Sequence, residues 1–436
     1  MLDKASLSVA IIAILIGAGS FAYTASTISG ISSQVTQART DVSTQITQVN
    51  SKISPLETSL NTVRQEQTAI RGLVDQRIGG LEKALQEAQQ QLAEAQKASQ
   101  QAQKELEALK ADQALEEAAK KEQAPLIYGV IDAPDFSGIV WPRFRESYPW
   151  APAQGRYIEG FAPLRARFAS EYQANAPTAD ILWQSIGAMV AELQPYVTQY
   201  PEMKFKGLYP DAMMYPNRDQ PTLYVTHLLP AVIIYNSNLL KPEDAPKGWL
   251  DLANPKWKDK IAMQTIRSAG APTKLLADLQ PVLGQERWDT FMKALIANNP
   301  VQTGSSTEAF VKIVAGEFPV GIGLLNDVIR QPAGSPIRVA WPQEDPKVVP
   351  VGDATTIGIN NKAANPNFAK LFIQWLESPL GQRAIAETGR PPALLTIDHP
   401  IAIGKVLPQD LTILPGNDDY LKNAQKWADL FRTYAG

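Results

Sequence analysis

The sequence predicts an α/β protein of two lobes, set behind an apolar helix and an α-helical coiled coil. Three observations predict it. Beyond residue 124, short apolar runs bounded by Asp, Pro and Gly alternate with helical patterns, the mark of mixed sheets covered by helices. That part holds roughly 310 residues, more than one hydrophobic core organises, so two lobes are expected. Between residues 28 and 121, in contrast, aromatic residues are nearly absent and apolar residues recur at alternating steps of three and four.

The chain divides into 1–27, 28–123 and 124–436. In the first part Lys4 precedes the nearly uncharged stretch Ala5 to Ala25, with Val9-Ala10-Ile11-Ile12-Ala13-Ile14-Leu15-Ile16 at its centre. A bilayer core asks for ~20 apolar residues as helix, and this run just reaches that length. The expectation is a retained membrane anchor. A signal peptide cleaved after Ser20-Phe21-Ala22, or archaeal class III-type processing near Lys4-Ala5, is the alternative. Export follows in each case.

The second part reads as a stalk. Ile46, Val49, Ile53, Leu56, Leu60, Val63, Ile70 and Val74 form one seam, and Ile78, Leu81, Leu85, Ala88, Leu92 and Ala95 continue it after a four-residue stutter beside Gly79-Gly80. Such a seam needs a partner helix, which predicts a homo-oligomer. Ser54-Pro55-Leu56-Glu57 carries a capping-box helix start, so two helical pieces with a bend near residue 54 are expected. A single solvated helix or a polar linker is the alternative.

In the third part Pro125 to Ile131 predicts a buried strand running into Asp132-Ala133-Pro134. Further strands are predicted at Thr178–Trp183, Ala231–Tyr235, Phe318–Gly323 and Thr355–Ile359. Composition narrows the chemistry. There are no cysteines, which removes disulfides, thiolate metal sites, a thiol nucleophile and a lipid-bearing cysteine. His227 and His399 are the only histidines and read as surface or core residues. A net charge of −3 gives no basic footprint for nucleic acid. No nucleophile–base or metal-ligand spacing is visible, so an enzyme is not expected and no cofactor is implied.

Several stretches carry a resemblance. Trp249-Leu250-Asp251-Leu252-Ala253-Asn254-Pro255-Lys256-Trp257-Lys258, Ser268-Ala269-Gly270-Ala271, Ala315-Gly316-Glu317-Phe318-Pro319-Val320-Gly321-Ile322 and Phe372-Ile373-Gln374-Trp375-Leu376 to Gly381-Gln382 occur in that order. Through them residues 125–436 resemble the type II solute-binding proteins of the ferric-iron, thiamine, polyamine and phosphonate group. The resemblance implies a two-lobed type II periplasmic-binding-protein fold with a hinge, a small-molecule solute in the interlobe cleft, and a membrane permease of an ATP-driven (ABC) importer as partner. It says nothing of the stalk.

In the ferric-binding relatives the metal is held by a histidine, a glutamate and two adjacent tyrosines. The matching positions here are Asp132, Ser185, Val328 and Ile329. Two aliphatic side chains in place of tyrosinates argue against iron held in that manner. The relatives' phosphate-binding parts are matched by Ser268, Gly270, Ala271 and Asn326, which points to an anionic solute bearing phosphate, phosphonate or carboxylate. Ser305, Ser306 and Thr307 open the helix that runs to Ala315, as a second cradle or as plain helix caps. Asp132 and Asp327 are candidates to meet an amine on the same ligand, and Trp183 to stack on it. The function expected is capture of a small polar, anionic solute outside the cytoplasm; the alternative is a surface-assembly protein built on the coiled coil.

Overall fold

The computed structural model describes residues 29–45, 47, 60–210, 213–267, 271–343, 345, 347–414 and 418–435. The expected anchor (1–27) and the capping box at residue 54 lie outside them. Contacts divide the chain into Met1–Ala114 and Leu115–Gly436.

The first unit holds helix α1 (29–45) and most of α2 (Leu60–Ala119). Helix α2 passes through Gly79-Gly80 without interruption. Among its described side chains, Ile70, Val74, Ile78, Leu81, Leu85 and Leu92 are half-buried while most others are exposed. These residues lie along one stripe of the helix. Among the described residues no helix is long and apolar enough to cross a membrane.

The second unit begins before the expected Ala124. The last turns of α2 pack into it: Ala119 is fully buried in the core, and Glu116 accepts a hydrogen bond from Trp150 Nε1 at 2.8 Å. Its strands among the described residues are β1 (Leu126–Gly129), β2 (Arg156–Glu159), β3 (Ile181–Ser185), β4 (Met214–Tyr215), β5 (Leu223–Asn236), β6 (Ile261–Gln264), β7 (Val301–Thr303), β8 (Val320–Leu324), β9 (Ile337–Ala340), β10 (Val348–Ile359) and β11 (Thr412–Leu414).

The pairing builds two lobes with one plan. In the first, the order is β2-β1-β3-β10-β5; β1 is parallel to β2 and β3, and β10 is antiparallel to β3. In the second, the order is β7-β6-β8-β5-β9; β6 is parallel to β7 and β8, and β5 is antiparallel to β8. Strand β5 therefore serves both. Leu223 to Pro230 pair within the first lobe, and Ala231 to Asn236 within the second. Strand β10 returns beside it, and its register shifts between Val351 and Asp353, opposite Pro230. Proline supplies no N–H there, so the ladder is thinnest where the chain crosses.

Each lobe has its own core. In the first, Trp141, Phe144 and Phe372 pack with ring centroids 5.1 to 5.9 Å apart. In the second, Trp288 meets Trp427 and Phe431 at 6.0 and 5.8 Å. Trp249 and Trp257 of the stretch Trp249–Lys258 are buried in this second core, where Trp249 Nε1 donates to the Val348 carbonyl at 2.9 Å. The motif is thus the foundation on which the returning strand rests. Helices used below are α3 (Trp141–Ser147), α4 (Ala162–Gln173), α5 (Ala271–Leu283), α6 (Gln285–Ala297), α7 (Ser306–Val314), α8 (Leu325–Ile329), α9 (Pro366–Leu376), α10 (Pro379–Glu387) and α11 (Asp418–Ala435).

Candidate functional site

A cleft of about 600 Å³ lies between the lobes beside the strand crossing. Its first wall is made by the ends of β1 and β3, the start of α4 and the central residues of β5 and β10. Its second is made by α7, the end of β8, and α8.

Asp132 follows β1 and stands at the cap position of the helical run that leads into α3, though its side chain makes no cap hydrogen bond. Its carboxylate faces two guanidiniums instead. Arg330, just past α8 in the second lobe, reaches Asp132 at 2.7 Å and Asp135 at 3.2 Å. Arg390 of the first lobe reaches Asp132 at 3.0 Å and Asp135 at 2.6 Å. Burial works against the charge on Asp132, but Arg330 and Arg390 hold its carboxyl below the usual range. Through Arg330 this four-member network links the second lobe to the first beside the cleft. Gly389 makes room for it: a Cβ there would lie 2.6 Å from Arg330 Cγ, and its φ of +81° suits glycine. At β1 itself Gly129 is held to glycine by the Tyr157 ring, 2.5 Å from where its Cβ would be.

Deeper in the cleft the side chains offer acceptors. Gln184 spends its amide N–H groups on the carbonyls of Tyr128 and Gly160, and among the described residues nothing donates to its buried Oε1. Asn326 donates to Asp327 Oδ1 at 3.0 Å, which leaves Asn326 Oδ1 and Asp327 Oδ2 buried without partners among the described residues. Burial raises the Asp327 pKa; Arg330 and Arg390 offset this only in part. Asp353, at the register shift of β10, is pushed up to about 6 by burial, against a hydrogen bond from the Ala354 N–H and the charge of Lys274. Lys274 itself is tied to Asp278 and to the Val351 carbonyl.

His227 is a cleft residue that sequence reasoning set aside. Thr226 Oγ1 accepts from Trp183 Nε1 and donates to the Thr355 carbonyl, so its contact with His227 Nδ1 at 3.0 Å needs the proton on Nδ1. That leaves Nε2 as an acceptor. Burial, then the nearby Arg390, holds the imidazole neutral, well below its usual pKa. A lone histidine in a mostly apolar stretch, Leu223 to Pro230, gives no sequence signal for this.

The other expected residues fall as follows. Ser185 ends β3 and lines the cleft. Trp183 does not: its indole is buried in the first-lobe core, donating to Thr226, so it cannot stack on a cleft ligand. Strand alternation explains this, since neighbours Trp183 and Gln184 point to opposite faces. Ser305 caps α7 by accepting from the Glu308 N–H at 3.1 Å, while Glu308 accepts from the Gly304 N–H at 2.9 Å. This capping box already fills the helix start with the chain's own carboxylate. Ser306 donates to Gln264 Oε1 and is committed there, and only Thr307 of this trio lines the cleft. Ser268 and Gly270 lie outside the described residues, and Ala271 opens α5. Val328 and Ile329 are partly buried against the second-lobe core. Among the described residues no cluster of His, Asp and Glu is placed to hold a metal ion.

Solved structures share this fold. The substrate-binding protein of an ABC transporter from Agrobacterium tumefaciens is 17% identical, with a TM-score of 0.59, over 72% of this chain and 94% of that one. Iron-bound HitA from Pseudomonas aeruginosa gives 17% and 0.58 over 72% and 100%. AfuA from Actinobacillus pleuropneumoniae, with fructose-6-phosphate bound, gives 19% and 0.54 over 72% and 97%. No curated protein matches the sequence. The sequence profile of one family, described as bacterial extracellular solute-binding protein, matches residues 195–424, which run from the first lobe through the crossing strands and the second lobe to the C-terminal helix. With more than half of its length matched and two lobes packed around the cleft, the chain belongs to the bacterial extracellular solute-binding proteins.

Proposed function

We propose that the chain captures a small polar solute in the interlobe cleft, outside the cytoplasm, and delivers it to the permease of an ATP-driven importer. The observation that carries this is the double crossing by β5 and β10: two separately packed lobes are joined by two strands, beside a polar cleft. Two lobes on such a joint can rotate about it, and a solute that touches both favours closure. A volume of about 600 Å³ suits a metabolite-sized ligand. The Agrobacterium structure, described as part of an ABC transporter, supports the same reading.

The anionic group proposed for the solute would sit in a cradle of Ser268, Gly270 and Ala271, of which the first two lie outside the described residues. The described part of the cleft lends it less support. Helix α8 behind Asn326 has five residues, too few for a strong N-terminal dipole, and the start of α7 is occupied by Glu308. Iron held by paired tyrosines is not part of the reading, because Val328 and Ile329 stand at those positions. The stretch Ala5–Ala25 would anchor the chain, and the helices before Leu115 would space and oligomerise the binding domains. No catalytic step is proposed.

The test is a melting screen of the purified chain against amines, carboxylates, phosphates and sugars, with X-ray scattering on any hit. A ligand of the folded state raises the melting temperature, and closure lowers the radius of gyration. A chain that answers none of these classes would instead support the surface-assembly reading.

A further inference from the structure

Counted together with their ion-pair partners Asp135 and Glu192, the charges around the cleft leave an acidic excess. Three guanidiniums reach it, Arg165, Arg330 and Arg390, and each is already engaged: Arg165 with Glu192 at 2.8 Å, the other two with Asp132 and Asp135. Lys274, beside the hinge, is committed to Asp278. Asp327 and Asp353 are left over, the first from the second lobe and the second at the strand crossing, with no ion pair to either among the described residues. His227, the other titratable group on the wall, is neutral and presents an acceptor nitrogen.

The hydrogen-bond inventory has the same sign. Of the residues that line the cleft, three carry a buried side-chain atom with no partner among the described residues, Gln184 Oε1, Asn326 Oδ1 and Asp327 Oδ2, and all three atoms are acceptors. Gln184 and Asn326 are at least nine-tenths buried, so each orphaned oxygen carries the full cost of lost hydration until something donates to it. A phosphate or carboxylate brings more acceptors and more negative charge to this wall. A protonated amine brings two or three donors and a positive charge. Phe310, Leu229 and Val314 add apolar surface nearby, which suits an amine carried on a hydrocarbon frame.

We propose that the group recognised in this cleft is the ammonium of an organic amine, received by Asp327 and Asn326 from the second lobe and Gln184 from the first, with Asp353 balancing its charge. The inference rests on the reading of the cleft as the solute site. It gives the ammonium a role in closure as well as in affinity, because its acceptors come from both lobes. Burial raises both carboxyls, Asp353 to about 6, so binding of the cation should release a proton from Asp353 in mildly acid solution and tighten as the pH rises past about 6.

The experiment is a melting and calorimetric titration of the intact chain with alkylammonium and α,ω-diammonium ions of one to six carbons, beside the matching carboxylates, inorganic phosphate and glycerol. At least one ammonium ion should raise the melting temperature, and more so at pH 7.5 than at pH 5. Asp327→Asn should weaken that binding by ~10- to 100-fold, the worth of one charge-assisted hydrogen bond. Asp353→Asn, nearly isosteric, should weaken it less and flatten its pH dependence, which keeps the test decisive if the first variant folds poorly. Stabilisation by carboxylate, phosphate or glycerol but not by ammonium would overturn the inference and leave a solute-binding cleft standing. Ammonium binding that survives both substitutions would overturn it equally. Silence from every probe would remove both.

Discussion

Arg330 shows how much of the lobe arrangement depends on single side chains. Arg330 and Asp132 are more than a third exposed, so that pair is worth about 1 kcal/mol or less, and Asp135 adds a second contact from a less exposed carboxylate. Yet the pairs act between lobes, where the opposing term is only the freedom of a hinge. Arg330→Gln should leave the melting temperature within about two degrees of the parent, while solute affinity falls by ~5-fold and the radius of gyration rises in the unliganded chain. Scattering at low and high salt checks this, since the parent should open with added salt and the variant should respond less. Glu377 makes a different kind of prediction. It is fully buried near Tyr209 and Tyr224, neither carboxylate oxygen has a partner among the described residues, and burial pushes its pKa up to about 8. A folded-state pKa above the unfolded value of about 4.5 means the folded chain holds the proton longer. Stability from this group is therefore present at low pH and lost as the pH climbs toward 8. His227 works in the other direction, but only below about pH 6.5, and Asp353 is spent by about pH 6. Between pH 6.5 and 8 the fall in melting temperature should accordingly belong to Glu377, and Glu377→Gln should flatten it. An unchanged slope in that window would show that the carboxyl finds a proton or a partner by another route.

Among the elements, the strands that the sequence announced best are those that serve one lobe. Pro125–Ile131 contains β1, Thr178–Trp183 overlaps β3, and Phe318–Gly323 overlaps β8, because each is a short apolar run bounded by turn residues. The crossing strands were half-visible. Ala231–Tyr235 is only the second half of β5, and Thr355–Ile359 only the second half of β10. Their other halves carry Thr226, His227 and Pro230, or Pro350, Gly352 and Asp353, which read as breaks although they are the cleft floor and the hinge. The same conflict hid the acceptors. Gln184 and Asn326 look like ordinary polar residues until the fold shows which of their atoms the backbone has left unused. Trp183 failed for want of one residue of strand phase. The end of α2 was misjudged for a related reason, since its last turns keep the stalk's Ala/Glu composition while burying themselves in the first lobe. Ala119 is in the core, Glu116 holds Trp150, Lys120 lies over that indole, and Glu122 accepts from the Phe368 N–H at the start of α9 at 2.8 Å. A chain begun at Ala124 loses a helix cap of ~1 kcal/mol, a hydrogen bond of similar size and the burial of one alanine face. It should melt several degrees below a chain begun at Leu115, with identical solute affinity. Equal melting of the two would place the working boundary at Ala124 after all.

At the scale of the molecule the open matter is how many binding domains act together. The described part of α2 repeats its apolar residues at Ile78, Leu81, Leu85 and Leu92, and these are only half-buried, while the flanking positions are mainly Gln, Glu, Lys and Ala. A stripe this narrow adds little to a lone helix in water, because a helix gains most of its stability by burying one face against something else. A second copy of the same helix supplies that face in register, and a 60-residue helix offers ~90 Å of seam, enough to compensate for the weakness of each single contact. The chain with its stalk should therefore sediment as an oligomer at micromolar concentration, and a chain begun at Leu115 as a monomer. Glutamates at Leu81, Leu85 and Leu92 test the cause. On a solvated single helix they would be harmless, since glutamate is a good helix former. In a seam they would bring like charges from every copy into a desolvated stripe, and the oligomer should fall to monomers without loss of helix content or solute affinity. An oligomer that survives all three substitutions would have to be held by the binding domains themselves. A monomer in the parent chain would reduce the helix to a spacer.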